Sequence, residues 1–290
     1  MKFGASTFIW VSPFSNATLD LADKVSRMGF DILEICIEDP KTIDPESIRK
    51  SLEKTGLQAR VCGAFGSDRD SSSGDPAVRG QAVDYIKKCI DFARELKSPI
   101  VAGPMYSAVG KTRLLSKDEK QQQWQLAVES LRKAGDYAGE HGVKLAIEPL
   151  NRFETDLINT VEQGLELLDR IAIPNVGFLL DTFHMNIEEK DVAAAIRRAG
   201  SKIFHFHTCE NDRGTPGTGH VDWISVREAL RDAGYQGPVV IEAFNSEITE
   251  IARAVALWRP LASSPDALAA DGLDFLKRLF DGDQVTDPHP

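Results

Sequence analysis

Short runs rich in β-branched and aromatic residues alternate with longer stretches of helical period along nearly the whole chain. The runs are KFGASTFIW (2–10), DILEICIE (31–38), QARVCGAF (58–65), PIVAGPMY (99–106), KLAIEPLN (144–151), VGFLLDTFH (176–184), IFHFHTCE (203–210) and PVVIEAF (238–244). The sixth is apolar at consecutive positions, which predicts a strand buried on both faces. The stretches between carry helix punctuation: DPESIRKSLEKTG opens on Asp44-Pro45, GDPAVRGQAVDYIKKCIDFAREL opens on Asp75-Pro76, and several stop at a glycine just past the last apolar position. Eight βα units in about 260 residues predict an α/β protein, a (β/α)8 TIM barrel forming one domain over 1–280. The rival is a doubly wound open sheet, but the first run ends in IWVSPFS without the GxGxxG of a dinucleotide turn. An additional C-terminal helix, capped by Ser264-Pro265 and running through DGLDFLKRLF, is expected to pack on the barrel, and 281–290 to fray as a disordered tail. Two polar stretches, 66–74 and 107–117, are candidate lids.

Composition narrows the partners. With 42% hydrophobic and 27% charged side chains in 290 residues, the chain has the make-up of a soluble globular protein. Its formal net charge of -10 argues against a nucleic-acid partner, because such binders depend on clustered Lys and Arg. No apolar run has the length of a membrane span, and MKFGASTFIW lacks the basic start and long apolar stretch of a secretory leader. No membrane partner and a cytoplasmic location are therefore expected. Cys36, Cys62, Cys89 and Cys209 show no CxxC spacing, which predicts reduced core thiols.

In a parallel barrel the active site forms where strands end and βα loops begin, so the abrupt polar turn of VGFLLDTFHMN is informative. Asp181 and His184 fall at that end, Glu148 at the end of the fifth run, His207 at the seventh and Glu242 at the eighth. Three carboxylates brought together repel unless one keeps a proton or a cation lies among them. An oxygen-rich set with one imidazole and no thiolate suits Mn²⁺, Mg²⁺ or Co²⁺ better than a structural zinc. His205 is expected to be a hydrogen-bonded core residue facing the helices, opposite to His207; Glu34, in the second run, is a further candidate for the mouth. Lys2, Lys144 and Lys202 fall at strand starts, away from any Schiff-base role at the mouth, and neither a nucleophile elbow nor a P-loop occurs. What remains is proton removal beside a carbonyl, with a metal polarising the oxygens and a carboxylate taking the proton. Carboxylates on opposite sides of the carbon would permit epimerisation.

The motifs EPLNRFE, LDTFHMNIEE, HFHTCENDR and GTGHVDW, followed by VVIEAF and LWR, resemble the ketose 3-epimerases acting on D-tagatose, D-psicose (D-allulose) or L-ribulose, which are xylose-isomerase-like barrels. The similarity runs over nearly the whole chain and is most specific from Glu148 to Trp258. It implies an isomerase in which Glu148, Asp181, His207 and Glu242 hold one divalent metal per subunit, Mn²⁺ first, with Co²⁺ or Mg²⁺ as alternatives. It further implies that Glu148 and Glu242 are the catalytic acid/base pair, exchanging the C3 proton through a cis-enediolate, while Glu154, His184 and Arg213 bind substrate oxygens around C1 to C3. A free ketose substrate and a homodimer or homotetramer are likewise implied.

There are departures. Family members often carry aromatics near the sixth residue and after strand four; here stand Ser6 and MYSAVG, so a looser wall around O4 to O6 is expected, with Phe8 and Trp10 either compensating or core. The loop GTPGTGH, 214–220, is read as a tight glycine-dependent turn rather than a phosphate cradle. Other functions stay open. A lyase or isomerase on a keto-cyclitol or 3-keto-sugar, as among inosose dehydratase relatives, would share the metal ligands but expel water. A nuclease of the endonuclease IV type would need several metals and more histidines than the six here, and a sugar-binding protein would show no turnover.

Overall fold

The computed structural model describes residues 1–282. In chain order its elements are β1 (Phe3–Ser6), α1 (Leu21–Arg27), β2 (Ile32–Ile37), α2 (Pro45–Thr55), β3 (Gln58–Gly63), α3 (Pro76–Glu95), β4 (Ile100–Gly103) and α4 (Lys117–Glu140). They continue with β5 (Lys144–Ile147), α5 (Val161–Ile171), β6 (Val176–Asp181), α6 (Thr182–Glu188), α7 (Val192–Ala199), β7 (Ile203–His207), α8 (Trp223–Asp232), β8 (Val239–Ile241), α9 (Thr249–Ala254) and α10 (Pro265–Asp281). The strands pair in sequence order and β1 closes on β8, all in parallel: a (β/α)8 barrel.

Local chemistry sets the helix starts. Asp44 and Asp75 accept hydrogen bonds from the first-turn amides of α2 and α3, each with proline at the first helical position. Ser116 with Glu119 and Thr160 with Gln163 form capping boxes on α4 and α5. Ser264 caps α10, whose Leu268, Leu273, Leu276 and Leu279 are buried where the helix packs on β1, β8 and α8. The expected additional helix is thus present and runs through Asp281; residues 283–290, most of the expected tail, lie outside the described residues. Among the described residues no helix is long and apolar enough to cross a membrane.

The main core lies between strands and helices, and a smaller cluster inside the barrel comprises Ile100, Ala102, Ala146 and Leu179 with Phe204 against it. The four cysteines are buried and unpaired with one another, as expected; burial pushes the Cys36 and Cys89 thiols up to about 12.

The candidate lids are sewn together. Lys111 Nζ lies 2.5 Å from Asp70 Oδ2 and 2.8 Å from Ser72 Oγ, and the Val109 amide donates to the Phe65 carbonyl at 2.8 Å. Gly110 donates to Glu154 O, and the Asp156 amide donates to Lys111 O. The loops therefore form a fixed rim that holds the segment carrying Glu154.

Candidate active site

Glu148 and Glu242 each stand one residue past the end of their strands, β5 and β8, while Asp181 and His207 are the last residues of β6 and β7 and face each other in register. All four are buried. Each offers one ligand atom, and these atoms all lie within 4.8 Å of one another. His207 Nδ1 is 3.6 Å from Asp181 Oδ2 and 3.7 Å from Glu242 Oε1. Neither it nor Glu148 Oε1 has a hydrogen-bond partner among the described residues. Buried polar atoms are normally paired, so two orphans facing one point mark a place for a ligand.

Electrostatics say the same. Burial and the Glu242 carboxylate push Glu148 well above the usual carboxylate range. Asp181 is held below it: burial acts upward, but His207, His184 and Arg213 outweigh it. His207, despite burial, is held well above the ordinary imidazole range by Glu34, Glu242 and Asp181. Three carboxylates force protons onto their neighbours, which a divalent cation would replace.

Asp181 does a second job. Its Oδ1 accepts the Phe183 amide at 2.6 Å, so the residue that ends β6 also caps α6, and His184 follows on the first helical turn. The apolar run therefore stops as strand at Asp181, three residues before the 176–184 pattern ends. His184 Nδ1 lies 3.0 Å from the Asn151 amide, which must donate to it. The ring proton of the neutral imidazole is then on Nε2, which stands 3.8 Å from Glu148 Oε1 and 2.9 Å from Arg213 Nη2. Burial, with the Arg213 charge, pushes His184 down to about 4, so it is neutral near pH 7.

Arg213 carries the other donors. Its backbone is left-handed, φ 64°, and its amide donates to Glu210 O at 2.9 Å. The guanidinium lies 4.3 Å from the Phe183 ring centroid and 4.8 Å from that of Phe244, and donates to Glu154 Oε1 at 3.2 Å. Phe8 stacks on Phe244 at 5.1 Å and so borders this group, whereas Trp10 Nε1 donates to Asp266 at 2.6 Å and fastens α10. Ser6 is buried as the cap of the turn Thr7–Ile9, and Tyr106 of MYSAVG is buried with its hydroxyl on Ile158 O.

One expectation needs correction. His205 does not oppose His207: residues two apart on a strand share a face, and both rings reach the same Glu34 carboxylate inside the barrel. A bulge fixes which face. Phe178 pairs with Ile203 but Leu179 with His205, so Phe204 is the extra residue, its ring lying where a side chain on Gly177 would be. Ile203 and Phe206 both join the outer core, and the histidines turn inward. Glu34, for its part, is outside the four-residue group and lies behind His207.

The loop 214–220 winds around Glu210, which the sequence did not single out. This fully buried carboxylate accepts from the Gly217 and Val221 amides and from Trp223 Nε1, at 2.8–2.9 Å. Gly217 has φ 87°, where a side chain is strained. The Gly217 and Val221 amides thus converge on a carboxylate supplied by the chain, in a turn that starts just after Arg213. Cys209, expected as a reduced core thiol, is buried against the site: its thiol lies 3.1 Å from Asp181 Oδ2 and 2.8 Å from Glu242 O.

The family model for xylose isomerase-like TIM barrels matches residues 22–279. A Synechocystis protein described as a probable ketose 3-epimerase is 38% identical over 285 residues, 97% of each chain. An L-ribulose 3-epimerase of Methylomonas sp. is 32% identical over 97% of this chain and 98% of its own length. The crystal structure of a D-allulose 3-epimerase from Methylomonas sp. in complex with D-allulose matches with a TM-score of 0.90 and 31% identity over 96% of each chain. With strand order, barrel closure and these likenesses in agreement, the chain belongs to the xylose isomerase-like TIM barrels and, within them, to the ketose 3-epimerases, which are isomerases of carbohydrates.

Proposed function

We propose that this protein inverts C3 of a free ketose by metal-dependent proton exchange through a cis-enediolate. The observation that carries this is the meeting of Glu148 and Glu242 in one buried cluster with Asp181 and His207, two of whose polar atoms lack any partner among the described residues. The donor set, three carboxylates and an imidazole, fits one hard or borderline divalent ion, Mn²⁺ first, with Co²⁺ or Mg²⁺ as alternatives. When bound, such an ion supplies Lewis-acid polarisation of the ketose oxygens.

The rest falls to side chains. His184 Nε2–H and Arg213 Nη2 are donors 2.9 Å apart, so a substrate oxygen beside the pair could accept from both. Glu154, already on Arg213, adds an acceptor for a hydroxyl. With the sugar so oriented, one of Glu148 and Glu242 takes the C3 proton and the other returns one to the opposite face, giving the epimer. The fixed rim and the buried aromatic surroundings of Arg213 keep bulk water from the carbanion-like carbon. Free ketose, rather than its phosphate, fits the loop 214–220, where the Gly214, Gly217 and His220 amides already donate to Asp212, Glu210 and Asn211.

The deciding test is incubation of the Mn²⁺-loaded chain in D2O with D-allulose, D-fructose, D-tagatose and L-ribulose, followed by NMR of the protein-free sugars. Deuterium at C3 together with the epimer, both lost after chelation, is expected. Absence of exchange from all four would overturn the proposal, and release of water from a keto-cyclitol or 3-keto-sugar would assign the site to a lyase instead.

A further inference from the structure

Below the four-residue group, inside the barrel, a fully buried carboxylate meets two imidazoles. Glu34 Oε2 lies 2.6 Å from His205 Nε2; His207 Nε2 lies over the carboxylate edge, 2.9 Å from Oε1 and 3.1 Å from Oε2. The two rings stand edge to face at 5.1 Å. An ionised carboxylate can only accept, so both Nε2 atoms must be the donors. For His207 this leaves Nδ1, which is the ring nitrogen aimed at Asp181 and Glu242 and without a partner among the described residues.

We propose that Glu34, steadied by His205, is a positioning residue that holds the His207 proton on Nε2 and so reserves Nδ1 for the metal. The inference rests on the metal assignment made under the proposed function. Its chemistry is general: a carboxylate behind a ligating imidazole fixes ring plane and tautomer, and loss of such a partner typically weakens metal binding 10- to 100-fold. His205 is needed because one imidazole would leave the carboxylate free to turn. The second donor, on a different residue of the same inward face, meets the same Oε2 as His207 and so holds that oxygen from two sides relative to β7. The bulge at Phe204 is what puts the two rings on that face.

Two measurements test this without any sugar. Long-range ¹H–¹⁵N NMR of the chain loaded with Zn²⁺, a diamagnetic probe, should show His207 protonated at Nε2 and metal-bound at Nδ1. Free Mn²⁺, followed by EPR, should show one site per chain, with affinity falling 10- to 100-fold in Glu34→Gln. The amide of that variant carries no charge, and with its oxygen in place of Oε2 its NH2 meets His207 Nε2 donor to donor at the position of Oε1. A wild-type spectrum with the proton on Nδ1, a second Zn²⁺ per chain bound among Glu34, His205 and His207, or a variant within twofold of wild type would overturn the inference. If the variant does not fold, the wild-type spectrum decides alone. Wild-type chain that binds neither ion would remove the metal assignment and this inference with it. Chain that binds Zn²⁺ through Nδ1 as described but epimerises nothing would remove only the proposed activity.

Discussion

Two clusters share the mouth of the barrel and solve opposite problems. The strand-end group of Glu148, Asp181, His207 and Glu242 has an excess of negative charge and polar atoms left unpaired. The loop-borne group of Glu154, His184 and Arg213 balances its own charge: the guanidinium is stacked between two aromatic rings and bonded to Glu154, and Asn151 holds His184, while Arg213 Nε has no partner among the described residues. The first is built to be completed by a charge from outside; the second needs only an acceptor to meet its donors. Strand ends provide rigid positions for the first, while the second depends on turns that other buried groups, Glu210 and the Lys111–Asp70 pair, have to hold in place. On the proposed function, the difference teaches that charge excess, not polarity, separates the metal position from the sugar position.

The contrast can be broken at either cluster. The largest effect is expected from Glu242→Gln, which removes a ligand charge and a base together. C3 deuterium exchange should fall by at least about 10³-fold, and exchange near the wild-type rate would show that the base is elsewhere. Arg213→Ala should leave metal content at one per chain while weakening ketose binding by roughly 10- to 100-fold, the loss of a charge-assisted donor. Metal analysis beside calorimetric titration reads both, and a drop in metal content would show that the clusters are not separable.

A smaller, pH-dependent effect sharpens the comparison. His184 ionises near 6.5 when free but near about 4 in the fold, because of burial and then Arg213. Between those values the unfolded chain binds more protons, so stability falls as pH is lowered from 6.5 towards 4. At pH 5 the cost is about 2 kcal/mol. His184→Gln cannot titrate, so the stability gap between wild type and variant, measured by denaturant unfolding, should shift by that amount in the variant's favour between pH 8 and pH 5. An unchanged gap would mean that His184 is not held neutral.

Much of this was legible in the sequence. All eight strands lie within the apolar runs that predicted them, and the Asp-Pro and Ser-Pro pairs open helices where expected, because capping and burial are local chemistry. Glu148, Asp181, His207 and Glu242 could be picked out because a charge ending an apolar strand has no local reason to be there. Other features had no such signal. The direction of His205 and His207 depends on two things the alternating IFHFH pattern displays only in part: the two-residue period, which puts them on one face, and the bulge, which selects the face. Glu34 is flanked by apolar residues like the ligands, but only the closure of the barrel brings β2 opposite β7 and supplies its partners. Glu210, beside Asn211 and Asp212, has the surroundings of a solvated loop; its burial comes from glycine turns folding back over it.

Asp181 leaves a lesson for engineering. A single carboxylate ends a strand, faces His207 Nδ1 and the proposed metal position with one oxygen and starts with the other the helix that carries His184. On the proposed function, cofactor preference and sugar recognition are therefore not independent modules that can be swapped one at a time. A substitution meant to retune the ion at this position would also loosen the helix start beneath the proposed sugar contact, and a library that varies position 181 would need to vary the first turn of α6 with it.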